Sequence, residues 1–248
     1  MDRLLLMVRF IEELSKLNVP VVFKGAIVLK TALTGINLTT TRETRDVDGD
    51  WVGGTPTVSS MCSVLNVAAN AVKPGMYVVV DREYDVNKSA GFSVYNNDKS
   101  FLFEVDLSVR SNPFSCAYLS FNGVSFVGAT LQKMFSDKLH AVSGRVVLRR
   151  IKDVYDLFLL SALVGYRLSD VYNILNVCGR RLGDFSVFLS RYTDLAHAYN
   201  KFHGIDNKPE FDIIYNRVKL FIGPFISRQT VDAVWTGCNW AQQEGSYL

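Results

Sequence analysis

The chain has 248 residues, 48% hydrophobic and 21% charged, enough to bury a substantial core in one large domain or two modest ones. Its 27 lysines and arginines against 24 acidic residues leave a net charge of +3, compatible with a phosphate or nucleic-acid partner but not enough to establish one. Four cysteines (Cys62, Cys116, Cys178, Cys238) lie far apart with no histidine cluster, which argues against zinc and for free thiols in a reducing, cytosolic setting.

The opening "MDRLLLMVRFIEEL" mixes charge with apolar residues and reads as an amphipathic helix over 2–17, not as a signal peptide. "VPVVFKGAIVLKTAL" predicts a short strand, a turn at Lys24-Gly25 and a helix to about Leu33. "TGINLTTTRET" is loop-like, "RDVDGDW" is the next strand, and "VGGTP" ends it. A helix over 57–72 precedes four strand-like pieces, "MYVVVDREY", "AGFSVYN", "SFLFEVDLSVR" and "VSFVG". From Ala129 the helical period dominates, with helices expected near 130–142, 150–164, 168–177, 184–200 and 210–221. No apolar run is long enough to span a bilayer, so a soluble, cytoplasmic protein is expected. The expected fold class is α+β: a mixed α/β part over 1–128 with a small mixed sheet flanked by helices, then a helical bundle over 129–248.

Three features of the first part can be read together. Gly25 opens a helix whose first amides form a natural seat for phosphate, although an ordinary turn reads the same way. Asp46 and Asp48 are two apart on a strand and so share a face, roughly 7 Å from each other. A solvated edge strand would also carry such a pair. In "SFLFEVDLSV" the residues Phe101, Phe103, Val105 and Leu107 form one face, leaving Glu104 and Asp106 on the other. A phosphate turn with three carboxylates on neighbouring strands describes a magnesium-dependent site for a nucleoside triphosphate, because magnesium takes few protein carboxylates and completes its shell with phosphate and water. In the helical part, Lys138 replaces an apolar residue on the stripe Leu131, Phe135, Val142, and Asp153 heads the stripe Leu157, Leu160, Val164. Either charge alone would be costly to bury, so each needs the other or a ligand.

With these residues assembled, the chain resembles the AbiEii/AbiGii toxin family of nucleotidyltransferases, a branch of the DNA polymerase β-like superfamily. "VVFKGAIVLKTAL" is similar to the family's Lys-Gly-Gly helix start, and "RETRDVD" to its Arg-x-Ser/Thr-x-Asp-x-Asp element. "DKLHAVSGRVVLRRIKDVYDL" resembles its lysine helix followed by Arg/Lys-Asp-x-x-Asp-Leu, and together the three cover about residues 20–160. The resemblance implies that Asp46 and Asp48 bind metal, with Asp106 matching more loosely the superfamily's third carboxylate. It implies that Lys24, Gly25 and Arg42 meet the triphosphate and that Lys138 and Asp153 complete the active site. Ala26 departs from the Gly or Ser usual after Gly25. The implied reaction is transfer of a nucleotide from a triphosphate to an acceptor, RNA at the 3′ end of transfer RNA, by the toxin of a type IV toxin–antitoxin or phage-defence system with a cognate antitoxin. Arg145, Arg149, Arg150, Arg180 and Arg181 would offer the RNA a phosphate-binding surface. Two other readings stay open: a nucleotide- or partner-binding module that has lost catalysis, and a transferase acting on a small molecule such as an antibiotic.

Overall fold

The computed structural model describes residues 2–38, 40, 42–83, 89–110 and 115–242. They divide into two compact units, Met1–Thr130 and Leu131–Leu248. Gly128, where the sequence changes character, lies in the last strand of the first unit.

The first unit runs α1 (Arg3–Lys16), β1 (Val21–Lys24), α2 (Ala26–Thr34), β2 (Asp46–Val52), α3 (Val58–Val72), β3 (Tyr77–Arg82), β4 (Ser89–Tyr95), β5 (Phe101–Arg110), β6 (Cys116–Phe121) and β7 (Val124–Ala129). The strands form one seven-stranded sheet in the order β3-β4-β5-β2-β1-β7-β6. The pairs β2–β5 and β1–β7 are parallel and the others antiparallel. In α1 the helical period puts Leu6, Phe10 and Leu14 inside, and Phe10 meets Phe103 of β5 edge-on at 5.5 Å between ring centroids. Thr57 caps α3 by accepting a hydrogen bond from the Ser60 amide at 3.1 Å. In β2 the residues Val47 and Trp51 are buried while Asp46, Asp48 and Asp50 are half-buried, the alternation of a strand with one face on the core. Strand β6 was not expected from sequence: its burial pattern is mostly exposed, so it carries no apolar alternation to read. Thr39 and Thr41 of the expected loop, and Tyr84 of the expected "MYVVVDREY" strand, lie outside the described residues.

The second unit runs α4 (Leu131–Ser143), a 3-10 turn (Val147–Arg150), α5 (Ile151–Leu160), α6 (Leu168–Val177), α7 (Ser186–Ser190), α8 (Tyr192–Lys201), α9 (Phe211–Ile226) and the hairpin β8 (Ala233–Trp235)–β9 (Trp240–Gln242). Phe135 of α4 stacks on Phe221 of α9 at 4.3 Å, and Tyr166, Phe225, Trp235 and Trp240 build an aromatic core around them. Three expectations need correction. The helix read over 184–200 is two helices, broken at Arg191, whose backbone (φ −111°, ψ 46°) leaves the helical region. Helix α5 stops at Leu160, so Val164 falls off the expected stripe and is 65% exposed. Helix α9 continues to Ile226 through Pro224, because burial of Phe221, Ile222 and Phe225 outweighs the one backbone bond that proline removes. The terminal hairpin escaped notice because three-residue strands show too little period to detect. Among the described residues no helix is long and apolar enough to cross a membrane.

Candidate active site

One row of residues crosses five strands of the first unit. Lys24 of β1 is the register partner of Asp48 of β2, Asp48 of Asp106 of β5, Asp106 of Gly91 of β4, and Gly91 of Arg82 of β3. Neighbouring strands are about 4.8 Å apart, so Asp48 and Asp106 stand side by side with a cation towards each end of the row. The flanking positions add acid: Asp46 is in register with Glu104, and Asp50 with Ser108. Among the described residues this face therefore gathers five carboxylates on two adjacent strands. Lys24 Nζ donates to Asp50 Oδ1 at 2.5 Å, and an Arg82 guanidinium nitrogen donates to Asp106 Oδ1 at 2.5 Å.

Gly25 follows Lys24 directly and holds a backbone (φ 72°, ψ −146°) that is open almost only to glycine. A Cβ at this position would lie 2.3 Å from Asp48 Oδ2, so the carboxylate rests against the turn itself. Helix α2 starts at the next residue, and its N-cap Gly25 has no side chain with which to cap it. Ala26 is buried, and its small side chain fits the helix start. Arg42 is buried as well, in the lead-in to β2, and lies by Lys30 of α2. Burial first, and then the charge of Arg42, push the Lys30 ammonium below the ordinary lysine range. The turn, the carboxylates and Lys24 thus form one continuous patch.

The donor set suits a hard cation, since every candidate ligand is a carboxylate oxygen. Among the described residues no three such side chains form a ready-made metal cage. Magnesium does not need one: it is commonly held by one or two carboxylates and filled out by substrate phosphate and water. Asp46 and Asp48 on one strand face, with Asp106 in register beside them, fit that requirement.

The other two predicted residues, Lys138 and Asp153, belong to the second unit and meet there. Lys138 Nζ of α4 donates to Asp153 Oδ1 at 2.6 Å and pairs with Asp156 Oδ2 at 2.8 Å, both on α5. Arg150 Nε takes the remaining oxygen of Asp153 at 2.5 Å. Asp153 is 0% and Asp156 1% exposed. Burial alone would lower the pKa of Lys138, but Asp156 and Asp153 more than offset it and hold the ammonium above its ordinary range. Burial would likewise raise Asp153, but Lys138 and Arg150 hold its carboxyl below the usual value. Two cations and two anions close on one another.

Sequence reasoning missed Asp50, Arg82 and Asp156. Asp50 was detectable, sharing the strand parity of Asp46 and Asp48, and Asp156 was inside the quoted "KDVYDL". Arg82 was not, because only strand pairing brings it to Asp106. Two of the five arginines of the expected RNA surface carry ion pairs: Arg150, itself exposed, is held by Asp153, and Arg180 is paired with Asp137, which also binds Lys133 at 2.6 Å. Arg145, Arg149 and Arg181 are exposed as well.

No family model matches the chain, and no curated protein matches it in sequence. Solved structures do match. A candidate nucleotidyltransferase from H. pylori superposes with a TM-score of 0.57 at 16% identity, covering 91% of this chain and 94% of its own. JHP933 from Helicobacter pylori gives 0.56 at 15% identity, covering 91% of each chain. MenT4, a nucleotidyltransferase toxin from Mycobacterium tuberculosis, gives 0.55 at 15%, covering 91% of this chain and 84% of the toxin. The chain has the nucleotidyltransferase fold, and the resemblance drawn from "KGAIVLK" and "RDVD" is matched at the level of that fold.

Proposed function

We propose that the chain is a magnesium-dependent nucleotidyltransferase that moves a nucleotide from a nucleoside triphosphate to an acceptor hydroxyl. The observation that carries this reading is the row Lys24–Asp48–Asp106 abutting the Gly25 turn, which brings cation, carboxylates and a helix N-terminus to one patch. Asp46, Asp48 and Asp106 would hold the magnesium, which when bound neutralises triphosphate charge and helps orient the α-phosphorus. Lys24 and the amides after Gly25 would bind the β- and γ-phosphates. The acceptor oxygen bonds to the α-phosphorus as the bond to the bridging oxygen breaks; pyrophosphate leaves with that electron pair, and the acceptor proton passes to solvent or a carboxylate of the face. The work of the protein is positioning and electrostatics. Arg42, Lys138 and Asp153 enter this reading through the resemblance, Arg42 as a triphosphate contact and the other two as part of the catalytic machinery.

For the acceptor we take RNA, at the 3′ end of transfer RNA, with the chain acting in the cytoplasm as the toxin of a toxin–antitoxin or phage-defence pair. MenT4, a nucleotidyltransferase toxin by name, supports the toxin role, and the exposed Arg145, Arg149 and Arg181 support a polyanionic acceptor. The test is to incubate the protein, magnesium and each labelled triphosphate with purified transfer RNA and, separately, with an aminoglycoside panel. Label should move to RNA and require Asp46. Label on the antibiotic would keep the transferase and overturn the toxin. Triphosphate binding without transfer to any acceptor would leave a binding module.

A further inference from the structure

Arg82 is tied to the acidic face by more than a contact. It ends β3 at a register irregularity between Val80 and Arg82, and it is the partner of Gly91, itself the partner of Asp106. Its side chain therefore runs along the row, across β4, to a carboxylate two strands away. A Cβ on residue 91 would lie 2.7 Å from Arg82 Nε and 2.9 Å from a terminal nitrogen, so the path exists because residue 91 is glycine. Gly91 carries no left-handed backbone that would require glycine for another reason. The pair is also open: the side chains of Arg82 and Asp106 are 46% and 32% exposed, and ion pairs this exposed are weak enough to exchange.

Resting on the proposed function above, we propose that Arg82 is an exchange residue of the nucleotide site. In the unliganded protein its guanidinium occupies the Asp106 carboxylate. When a divalent cation takes that carboxylate, the guanidinium is released to the triphosphate, whose oxygens suit its planar fork better than they suit a lysine. A cation and a guanidinium cannot both take the same oxygen, so metal and Arg82 compete in the empty site. Once triphosphate is present they cooperate, because the displaced charge then has phosphate to bind.

Titration of the full chain with Mn2+ alone, and with each of the four nucleoside triphosphates in magnesium, tests this by calorimetry, with no turnover needed. Arg82→Gln should bind Mn2+ at least threefold more tightly without nucleotide, and bind its preferred triphosphate at least fivefold more weakly. Gly91→Ala should displace the flexible guanidinium and reproduce the first effect, with a smaller loss of triphosphate affinity because the arginine remains. Unchanged Mn2+ affinity in both variants would reduce Arg82–Asp106 to a surface ion pair. Tighter Mn2+ with unchanged triphosphate affinity would overturn the release. An Asp46→Asn, Asp48→Asn control separates the two levels: if it still binds magnesium–triphosphate like the wild type, the nucleotide site lies elsewhere and the proposed function falls with the exchange.

Discussion

The two units carry the same kinds of charged residue in opposite states. In the second unit Lys138 and Arg150 face Asp153 and Asp156, two against two, with both carboxylates out of water. In the first, among the described residues of the face, five carboxylates meet Lys24 and Arg82 on strands that leave them half-open. A balanced network with its carboxylates and Lys138 withdrawn from water completes itself, and breaking it costs stability. A half-open face of carboxylates stays within reach of a cation from solvent, and its acidity sets the sign of what it binds. A carboxylate of the first unit should therefore matter to function with little effect on folding, whereas one of the second should matter to folding whether or not it also serves the proposed chemistry.

Neutralising the open face should have the largest effect. Asp46→Asn with Asp48→Asn is expected to cut nucleotide transfer at least a thousandfold, about 4 kcal/mol in the barrier. It should also remove the magnesium–triphosphate stabilisation, which reaches about 2.7 kcal/mol at a hundredfold excess over the dissociation constant. Metal-free stability should stay equal or rise, because a like-charge pair is removed. A lower melting temperature in the absence of metal would mean that this face, too, is structural.

Lys138→Met probes the other side of the contrast. It leaves two buried aspartates without their shared cation and should cost about 3–5 kcal/mol of stability. Adding Asp156→Asn should recover part of that loss. Turnover measured well below the melting transition tells whether Lys138 also serves chemistry; near-normal turnover would confine it to the fold. The same network sets a pH signature. Asp153 has a depressed folded pKa, so its contribution is complete above the unfolded value of about 3.9 and is lost as pH falls through the folded one. Lys138 has a raised folded pKa, so its contribution is complete below about 10.4 and is lost as pH rises through the folded one. Melting temperatures from pH 3 to 11 should show both limbs, with Asp153→Asn flattening the acid one.

Gly25→Ala should lower stability by about 1–3 kcal/mol through its backbone alone. It should also weaken triphosphate binding, since the added methyl would meet the Asp48 carboxylate. Equal triphosphate affinity in the variant would detach the turn from the site. Arg149→Ala should have the smallest effect on the fold, within about 0.5 kcal/mol. It should weaken transfer-RNA binding evenly across sequences and lower the salt slope by about one. An unchanged slope would remove Arg149 from the RNA surface.

The sequence by itself determined what local period and turn chemistry can carry. Asp46 and Asp48 share a face because a strand repeats every two residues, and Lys24-Gly25 opens a helix because glycine permits that backbone. Leu6, Phe10 and Leu14 could be placed in a core from helical spacing alone, whereas Leu17, read on the same stripe, falls at the C-cap of α1 and is exposed. Tertiary structure decided what depends on pairing between distant segments. The order of seven strands aligned Arg82, Gly91, Asp106, Asp48 and Lys24 in one row, though β1 and β5, which supply Lys24 and Asp106, are far apart in the chain. Packing of α4 on α5 turned Lys138, Asp153 and Asp156 into a closed network where the sequence offered only two charged stripes. Register and desolvation are properties of two elements together, and neither is written in the period of one.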